Sequence, residues 1–496
     1  MTAGQQEELA LNLSPQAMRE LLDAVSERVL GFHQELADGA HPASYVNDSL
    51  QTEAYEAGRK ICAELREDEV PRQGAEVGEL LDELFGPATA NGTMHPHPGF
   101  MAHVPSGGLF QGAVGDFIAR SINRFAGVWI AAPGFQQIER NVIRWYGRML
   151  GYGEGSFGYL TTGGSIANLM GLLCARRAAE DLPGEPVVYV SSEGHYSVAK
   201  AAGIAGIPGS RIRSVAARED CAMDLGALRA AIAADRAAGL VPAAVVGTAG
   251  TTNSGAVDDL AAIAGICREE GIWFHADACF GGFFRITERG RAALRGIEEA
   301  DSIAVDAHKS LFLPHGSSAL LVKDQESLRR TFEIPGASYL PGLVEEDEIG
   351  DFCTYGPELS REIRGLTAWL PLKMHGVDAF EACMDEKLDL IEYLARELPR
   401  IDGLEVVADH PLHLPVLNFK FTAEGLGQGE LDRLNAKLCE LVCSHGNVYL
   451  TTTELPRHGM VVRVCILHPR TGRAVVDQLL KDIAWAAGRL RAPEEI

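Results

Sequence analysis

The chain has 496 residues, of which 46 % are hydrophobic and 23 % charged, enough apolar sequence to bury a large core without disulfide or metal staples. Its 68 acidic and 44 basic residues leave a net charge of -24, which opposes binding to phosphate backbones and to anionic membrane surfaces. Nucleic acid and membrane are therefore excluded as expected partners, and a small molecule held by a local ring of donors remains.

The N-terminus, Met1 to Ala10, is polar and acidic and lacks the apolar stretch of a signal peptide. No apolar run approaches the roughly 18 residues of a membrane span. The ten cysteines are scattered and form no C-x-x-C pair. Reduced thiols in a cytoplasmic protein are expected.

In chain order, Ser14-Pro15 reads as a helix cap followed by proline at the first helical position, and Leu21, Leu22, Val25, Val29 and Leu30 continue it as an apolar stripe. Further helices are expected near Ala54–Leu65 and Val77–Phe85. Residues 1–94 then form a helical arm whose apolar face needs a cover, such as a second subunit. From residue 95 short apolar runs alternate with helical stretches. The expected strands are Val187–Val190, Ala244–Gly247, Trp273–Ala276, Ser302–Val305 and Ala319–Val322. That alternation predicts an α/β domain, residues 95–376, with a mainly parallel sheet.

A long amphipathic stretch follows over Pro357–Leu398. Strands are expected at Leu404–Val407, Val416–Phe421, Val448–Thr452 and Met460–Ile466, with helices near Gln428–Ser444 and Arg473–Leu490. Residues 377–496 thus read as a smaller α+β domain. No internal repeat is evident.

Four features of the middle domain carry chemistry. Thr161-Thr162-Gly163-Gly164-Ser165 precedes the helix Ile166–Ala175; bare glycine backbone and a helix N-terminus together suit a phosphate. His195 follows the first expected strand and could stack on an aromatic ring. Asp277, in His275-Ala276-Asp277-Ala278, ends a mostly apolar strand, where ligands gather in open α/β sheets. Lys309, in Asp306-Ala307-His308-Lys309, follows another strand, and desolvation there is expected to lower its pKa and favour a nucleophilic amine. Each alone has an ordinary reading as a cap, a turn or a surface side chain. Together, in this order, they supply what pyridoxal 5′-phosphate requires: an amine for the aldehyde, an acid for the pyridine nitrogen, an anion cradle and a flat partner for the ring.

With these motifs the chain resembles the group II pyridoxal-phosphate-dependent decarboxylases, the family of aromatic-L-amino-acid, histidine and glutamate decarboxylases. The resemblance runs from about His97 to Gly376 and also rests on His97-Pro98-Gly99-Phe100, Trp129-Ile130-Ala131-Ala132-Pro133, Gly163-Gly164-Ser165-Ile166-Ala167-Asn168, His195-Tyr196-Ser197 and Gly250-Thr251-Thr252. It implies the aspartate-aminotransferase fold (fold type I) and a homodimer. It also implies that Gly164 and Ser165 hold the phosphate, with His308 beside it. His195 stacks on the ring, Asp277 pairs with its nitrogen supported by Thr248, and Lys309 forms the Schiff base.

The family has a small residue, usually alanine, where this chain has Cys279, which is expected to pack near the cofactor. Often it has tryptophan where this chain has Ser310. His97, Val104, Pro105, Ser106 and Trp129 fall in segments that line the substrate pocket in aromatic-specific members, and an aromatic L-amino acid is the expected substrate. His95, His97 and His103 lie in an extended, proline-punctuated segment, unlike zinc-binding spacing, and no metal is expected. The family also has a mobile loop whose tyrosine protonates the reaction intermediate; Phe352 aligns with that tyrosine. A phenylalanine there accompanies oxygen-dependent conversion to an aldehyde in related plant enzymes, while Tyr355 or His308 could instead replace the donor. Decarboxylation to the amine is the leading expectation, aldehyde formation the second. A non-catalytic scaffold that binds the cofactor is the rival from outside enzymology.

Overall fold

The computed structural model describes residues 11–45, 52–89, 91–104, 106–333, 350–407 and 409–491. Seven strands form the central sheet: β1 (Phe157–Thr161), β2 (Pro186–Ser191), β3 (Ile212–Val215), β4 (Val241–Thr248), β5 (Trp273–Asp277), β6 (Ser302–Asp306) and β7 (Ser318–Val322), in the order β1-β7-β6-β5-β4-β2-β3. The ladders from β3 through β2, β4 and β5 to β6 are parallel, whereas β7 runs antiparallel to both β6 and β1. Every residue of β1, β4, β6 and β7 is buried. Their sequences are nearly unbroken apolar runs because helices cover both faces of the sheet.

All five strands expected in this region are present. β1 and β3 were not expected. β1 is interrupted by Gly158, and β3 is an edge strand whose Arg213 and Ser214 break the apolar run. The helix Gly164–Ala178 spans the expected Ile166–Ala175 and starts two residues earlier.

A second sheet, antiparallel and in the order β10-β11-β9-β8, is built from β8 (Leu404–Val407), β9 (Val416–Phe421), β10 (Thr451–Leu455) and β11 (Gly459–Cys465). β10 starts three residues later than expected, and Gly459, at φ 65°, opens β11 after the connecting turn. The long amphipathic stretch is not one helix. Residues 357–365 are not helical, and the rest divides into Leu366–His375 and Val377–Glu397 at Gly376, whose φ of 73° no helix tolerates. The second of these helices places Phe380, Met384 and Leu388 in the core of the large sheet and Leu390, Ile391 and Leu394 in the core of the small one. It thereby fixes the two layers relative to each other.

The arm helix Pro15–Ala37 is capped as its sequence suggests, with the Ser14 hydroxyl accepting from the Ala17 amide at 3.2 Å. Of its expected apolar stripe, Leu22 and Leu30 remain exposed, as does the neighbouring Met18. Among the described residues no helix is long and apolar enough to cross a membrane, and all ten cysteines are free.

Candidate active site

Parallel strands deliver their C-terminal ends to one edge of the sheet. There Thr248 ends β4, Asp277 ends β5, Asp306 ends β6, and His195 follows β2. The turn after β1 brings in Gly163, Gly164 and Ser165. These residues enclose a cavity of about 280 Å³, completed by Thr162, Ser197, Gly250, Thr252, Cys279, Phe280, His308, Lys309 and His315. Gly164, Ser165, His195, Thr248, Asp277, Cys279, His308 and Lys309, eight residues singled out from sequence, thus converge on one space.

The other expected site residues do not line it. His97 faces a separate cleft between the arm and the small sheet, beside His41, His445 and Asn447. Val104 is half-buried against the large core. Trp129 sits in a short 3₁₀ turn, Trp129–Ala131, whose first amide donates to the Asp351 carboxylate. Pro105 lies outside the described residues. Phe352 and Tyr355 are both fully buried. The Phe352 ring packs between the Arg140 and Arg361 guanidinium groups and stacks on Phe157 at 6.1 Å. The Tyr355 hydroxyl is 3.0 Å from Gln325 Nε2. Burial in this cation–aromatic cluster, rather than placement at a loop tip, explains why neither side chain reaches the cavity of its own chain.

Lys309 corrects a second expectation. Burial does lower its pKa, but the Asp306 carboxylate, with Oδ2 2.9 Å from Nζ, outweighs burial and leaves it raised. Desolvation likewise pushes Asp306 up, and Lys309 and His308 more than reverse that, so the pair is ionic. Ser318 Oγ donates to Asp306 at 2.5 Å and holds the carboxylate in place. Asp306 was missed as a site residue, although its position three before the lysine, on the same turn, was a readable signal. Burial holds His195 and His308 below the ordinary histidine value.

The residues fit pyridoxal phosphate on three observations. A Cβ on Gly164 would collide with Cys279 Sγ and lie 2.9 Å from the Asp306 carboxylate; only glycine leaves the backbone open at the start of a 15-residue helix. The Thr248 hydroxyl is buried without a partner among the described residues and borders the cavity, so it is available to a ligand. The Asp277 carboxylate is reached by the Asn168 amide at 3.2 Å and the Cys279 N–H at 3.3 Å. It meets no cation within ion-pair distance among the described residues, and lines the same cavity as His195 and Lys309. Arg463, also missed, is buried behind Thr252, donating to its carbonyl at 2.6 Å, and its Nη2 has no partner among the described residues.

The chain matches the pyridoxal-dependent decarboxylase conserved domain over residues 62–422. It is 34 % identical to an aromatic-L-amino-acid decarboxylase of Bacillus atrophaeus over 84 % of this chain and 86 % of that one. A phenylacetaldehyde synthase of Petunia hybrida is 28 % identical over 86 % of each. Among solved structures, Oryza sativa TDC with PLP and tryptamine superposes with a TM-score of 0.88 at 24 % identity, covering 97 % of this chain and 100 % of that one. The fold-type I architecture and the cofactor pyridoxal phosphate follow, and the scaffold reading gives way to an enzyme. The chain belongs to the pyridoxal-dependent decarboxylases and is a carboxy-lyase acting on an amino acid.

Proposed function

We propose that the protein decarboxylates an aromatic L-amino acid to its amine and CO2, as a cytoplasmic homodimer. The observation that carries the reading is the convergence of Lys309, Asp277, His195 and the Gly164–Ser165 helix start on one cavity.

Bound there, pyridoxal phosphate supplies an aldehyde that condenses with amines and a protonated pyridine ring that takes up the electron pair released when the Cα–carboxylate bond breaks. Gly164 and Ser165 would hold its phosphate, with His308 alongside. Asp277 would keep its ring nitrogen protonated. His195 and Cys279 would face the ring, and the Thr248 hydroxyl would meet a polar edge. Asp306 keeps the Lys309 amine charged until the cofactor enters, so Lys309 must pass its proton on before it can act as a nucleophile. Arg463 brings an unneutralised guanidinium behind Thr252, suited to the carboxylate of an incoming amino acid.

Support for an aromatic substrate comes from the Bacillus relative. Support for the dimer comes from the surface next to the site. Phe110, Phe117, Ile118, Ile122, Phe125 and Ile130 are all exposed, and exposed apolar side chains grouped along one stretch of chain suit a partner's surface. The helix that carries the first four, Phe110–Ile122, also supplies Ala113, Asp116 and Arg120 to a neighbouring cavity that shares Thr162 and His315 with the first. A second copy seated on this patch would therefore reach the mouth of the site. Free cysteines throughout accord with a reducing compartment.

The test is product analysis by mass spectrometry from a panel of L-amino acids, run with and without O2. Amine from an aromatic member, equally with and without O2, is the expected result. An aldehyde, the class of product in the Petunia relative's name, would replace this reading if it formed only with O2; turnover confined to non-aromatic amino acids would overturn the substrate assignment.

A further inference from the structure

The buried polar groups behind the cavity form a chain of hydrogen bonds with a fixed direction. Trp273 Nε1 is a donor only, and it lies 2.8 Å from Ser302 Oγ. The Ser302 hydroxyl accepts from it and keeps a proton and a second lone pair toward His275 Nδ1, at 2.7 Å. The direction is set from the other end: the Asp277 carboxylate only accepts, so the Asn168 amide nitrogen faces it, Asn168 Oδ1 accepts from His275 Nε2–H at 2.9 Å, and Nδ1 of the neutral imidazole accepts from Ser302. With its oxygen so engaged, the Asn168 amide nitrogen donates in two directions: to Asp277 Oδ2 at 3.2 Å and to Ser197 Oγ at 3.3 Å. The Ser197 hydroxyl continues to His195 Nδ1 at 2.7 Å, where the Ser197 amide also arrives. His195 therefore carries its proton on Nε2.

The geometry points to Asn168 as a positioning residue that, through these two branches, holds Asp277 as an oriented carboxylate and His195 as the Nε2–H tautomer. The assignment rests on the proposed role of Asp277 toward the cofactor ring. Both branches start from His275 and Ser302, which lie beneath Asn168 and do not line the cavity.

Three features say that the network was built rather than incidental. Asn168, His275, Ser302, Ser197 and Asp277 are all buried, so any unmade bond is costly in a low-dielectric interior. His275 is packed so tightly under the helix Gly164–Ala178 that a Cβ on Gly171 would fall 2.5 Å from its ring. And the direction of the bonds from Ser302 to Asp277 is forced by the acceptor-only carboxylate at one end together with the neutral imidazole in the middle. Burial also holds the His275 pKa near 4, which keeps the imidazole neutral and able to both accept and donate.

Asparagine is the residue type that the position needs. Aspartate would lose the donor and set a second carboxylate against Asp277. Leucine, of similar volume, would leave His275 Nε2–H, Ser197 Oγ and Asp277 Oδ2 without these partners.

The test uses the holoenzyme and its apoenzyme, with N168A, N168D and the smaller change S302A. In the apoenzyme, nitrogen-15 NMR of the imidazoles should show His275 and His195 as neutral Nε2–H tautomers, with the His195 signal altered in N168A. In the holoenzyme, N168A should weaken cofactor binding about 10- to 100-fold, the range for a lost hydrogen bond to a charged group, and shift the visible absorption band. N168D should do more, and S302A should shift the band in the same direction by less. Each variant is repeated in a D277A background, where the effect of N168A on the band should shrink to what the His195 branch carries. If D277A itself leaves affinity and spectrum unchanged, the reading of Asp277 fails. If D277A changes both while N168A and S302A change neither, the positioning role alone is overturned. An N168A effect that persists undiminished in D277A would also overturn it.

Discussion

The two sides of the cavity are built differently. The cofactor side is complete within one chain: Asp277, Lys309, His195 and the Gly164 turn all hang from strand ends of one buried sheet, backed by the Asn168 network. On the substrate side, His97 lies in another cleft, Trp129 and Val104 stand apart from the cavity, and Phe352 and Tyr355 are locked into the core beside Arg140 and Arg361. The lesson is that the groups suited to the cofactor are gathered by the fold of a single chain, whereas the residues expected to select the substrate's side chain are not, and the proposed second copy is what would complete that side.

The largest effect is expected on the cofactor side. Lys309→Ala should remove the lysine-dependent visible band and lower turnover by more than about 10⁴-fold, the upper end of what one positioned acid–base group supplies. Absorbance and single-turnover assays check this; a variant that keeps the band would break the comparison at its firmer end. Asp277→Ala should cost about 10²–10³-fold in kcat, the range for losing one oriented electrostatic partner of the reacting system, while leaving the melting temperature near wild type.

The substrate side should respond to assembly. Ile118→Asp with Ile122→Asp places two charges in the exposed apolar patch, where each apolar side chain buried by a partner is worth about 1.5–3 kcal/mol. Sedimentation should show monomer, with turnover lost although the absorption band survives. A sharper version mixes Lys309→Ala chains with Trp129→Ala chains. If Trp129 serves the partner's site, subunit exchange should restore about a quarter of wild-type activity, since each mixed dimer has one intact site. No recovery from two inactive parents would mean that Trp129 serves its own chain's site, and a fully active Trp129→Ala dimer would mean that it serves neither.

These contrasts also explain what the sequence made legible. Strand ends in an open α/β sheet have fixed addresses, so Gly164, His195, Asp277 and Lys309 could be placed from their order alone. The expected helices and most strands followed from periodicity and caps, as at Ser14-Pro15. β1 and β3 were hidden because Gly158 and the polar edge residues Arg213 and Ser214 weaken the alternating or continuous apolar signal. The break at Gly376 was hidden because the amphipathic pattern continues on either side of it. Asn168 and His275 stood in quoted motifs, yet their roles depend on contacts 107 residues apart in sequence. The charge on Lys309 was misread because desolvation is visible in an apolar run, while a counter-ion such as Asp306 has to be seen in space.

A smaller effect, on stability, comes from the network behind the cofactor. His275 is fully buried, with its pKa depressed from 6.5 to about 4, a difference worth about 3 kcal/mol. Because the folded value is the lower one, this contribution is present above pH 6.5 and lost as pH falls through about 4. Denaturant midpoints of the apoenzyme should therefore decline over that window. His275→Asn, which does not titrate there, should start less stable and decline less steeply. Parallel curves for the two proteins would mean that His275 is not held neutral.

The smallest chemical effect is expected where the sequence seemed to place the reaction's outcome. Phe352→Tyr would add a hydroxyl at the position that the sequence resemblance matches to the family's loop tyrosine. In the structure this ring lies under Arg140 and Arg361 and against Phe157, with no exposed surface. A hydroxyl inserted there without a partner costs about 1–3 kcal/mol of stability and adds no donor to the cavity. The ratio of amine to aldehyde product should therefore stay within about twofold of wild type, while the melting temperature drops. A large change in that ratio, with stability unaltered, would show that Phe352 leaves the core during turnover. The substrate side would then be completed by movement of this segment as well as by the second copy.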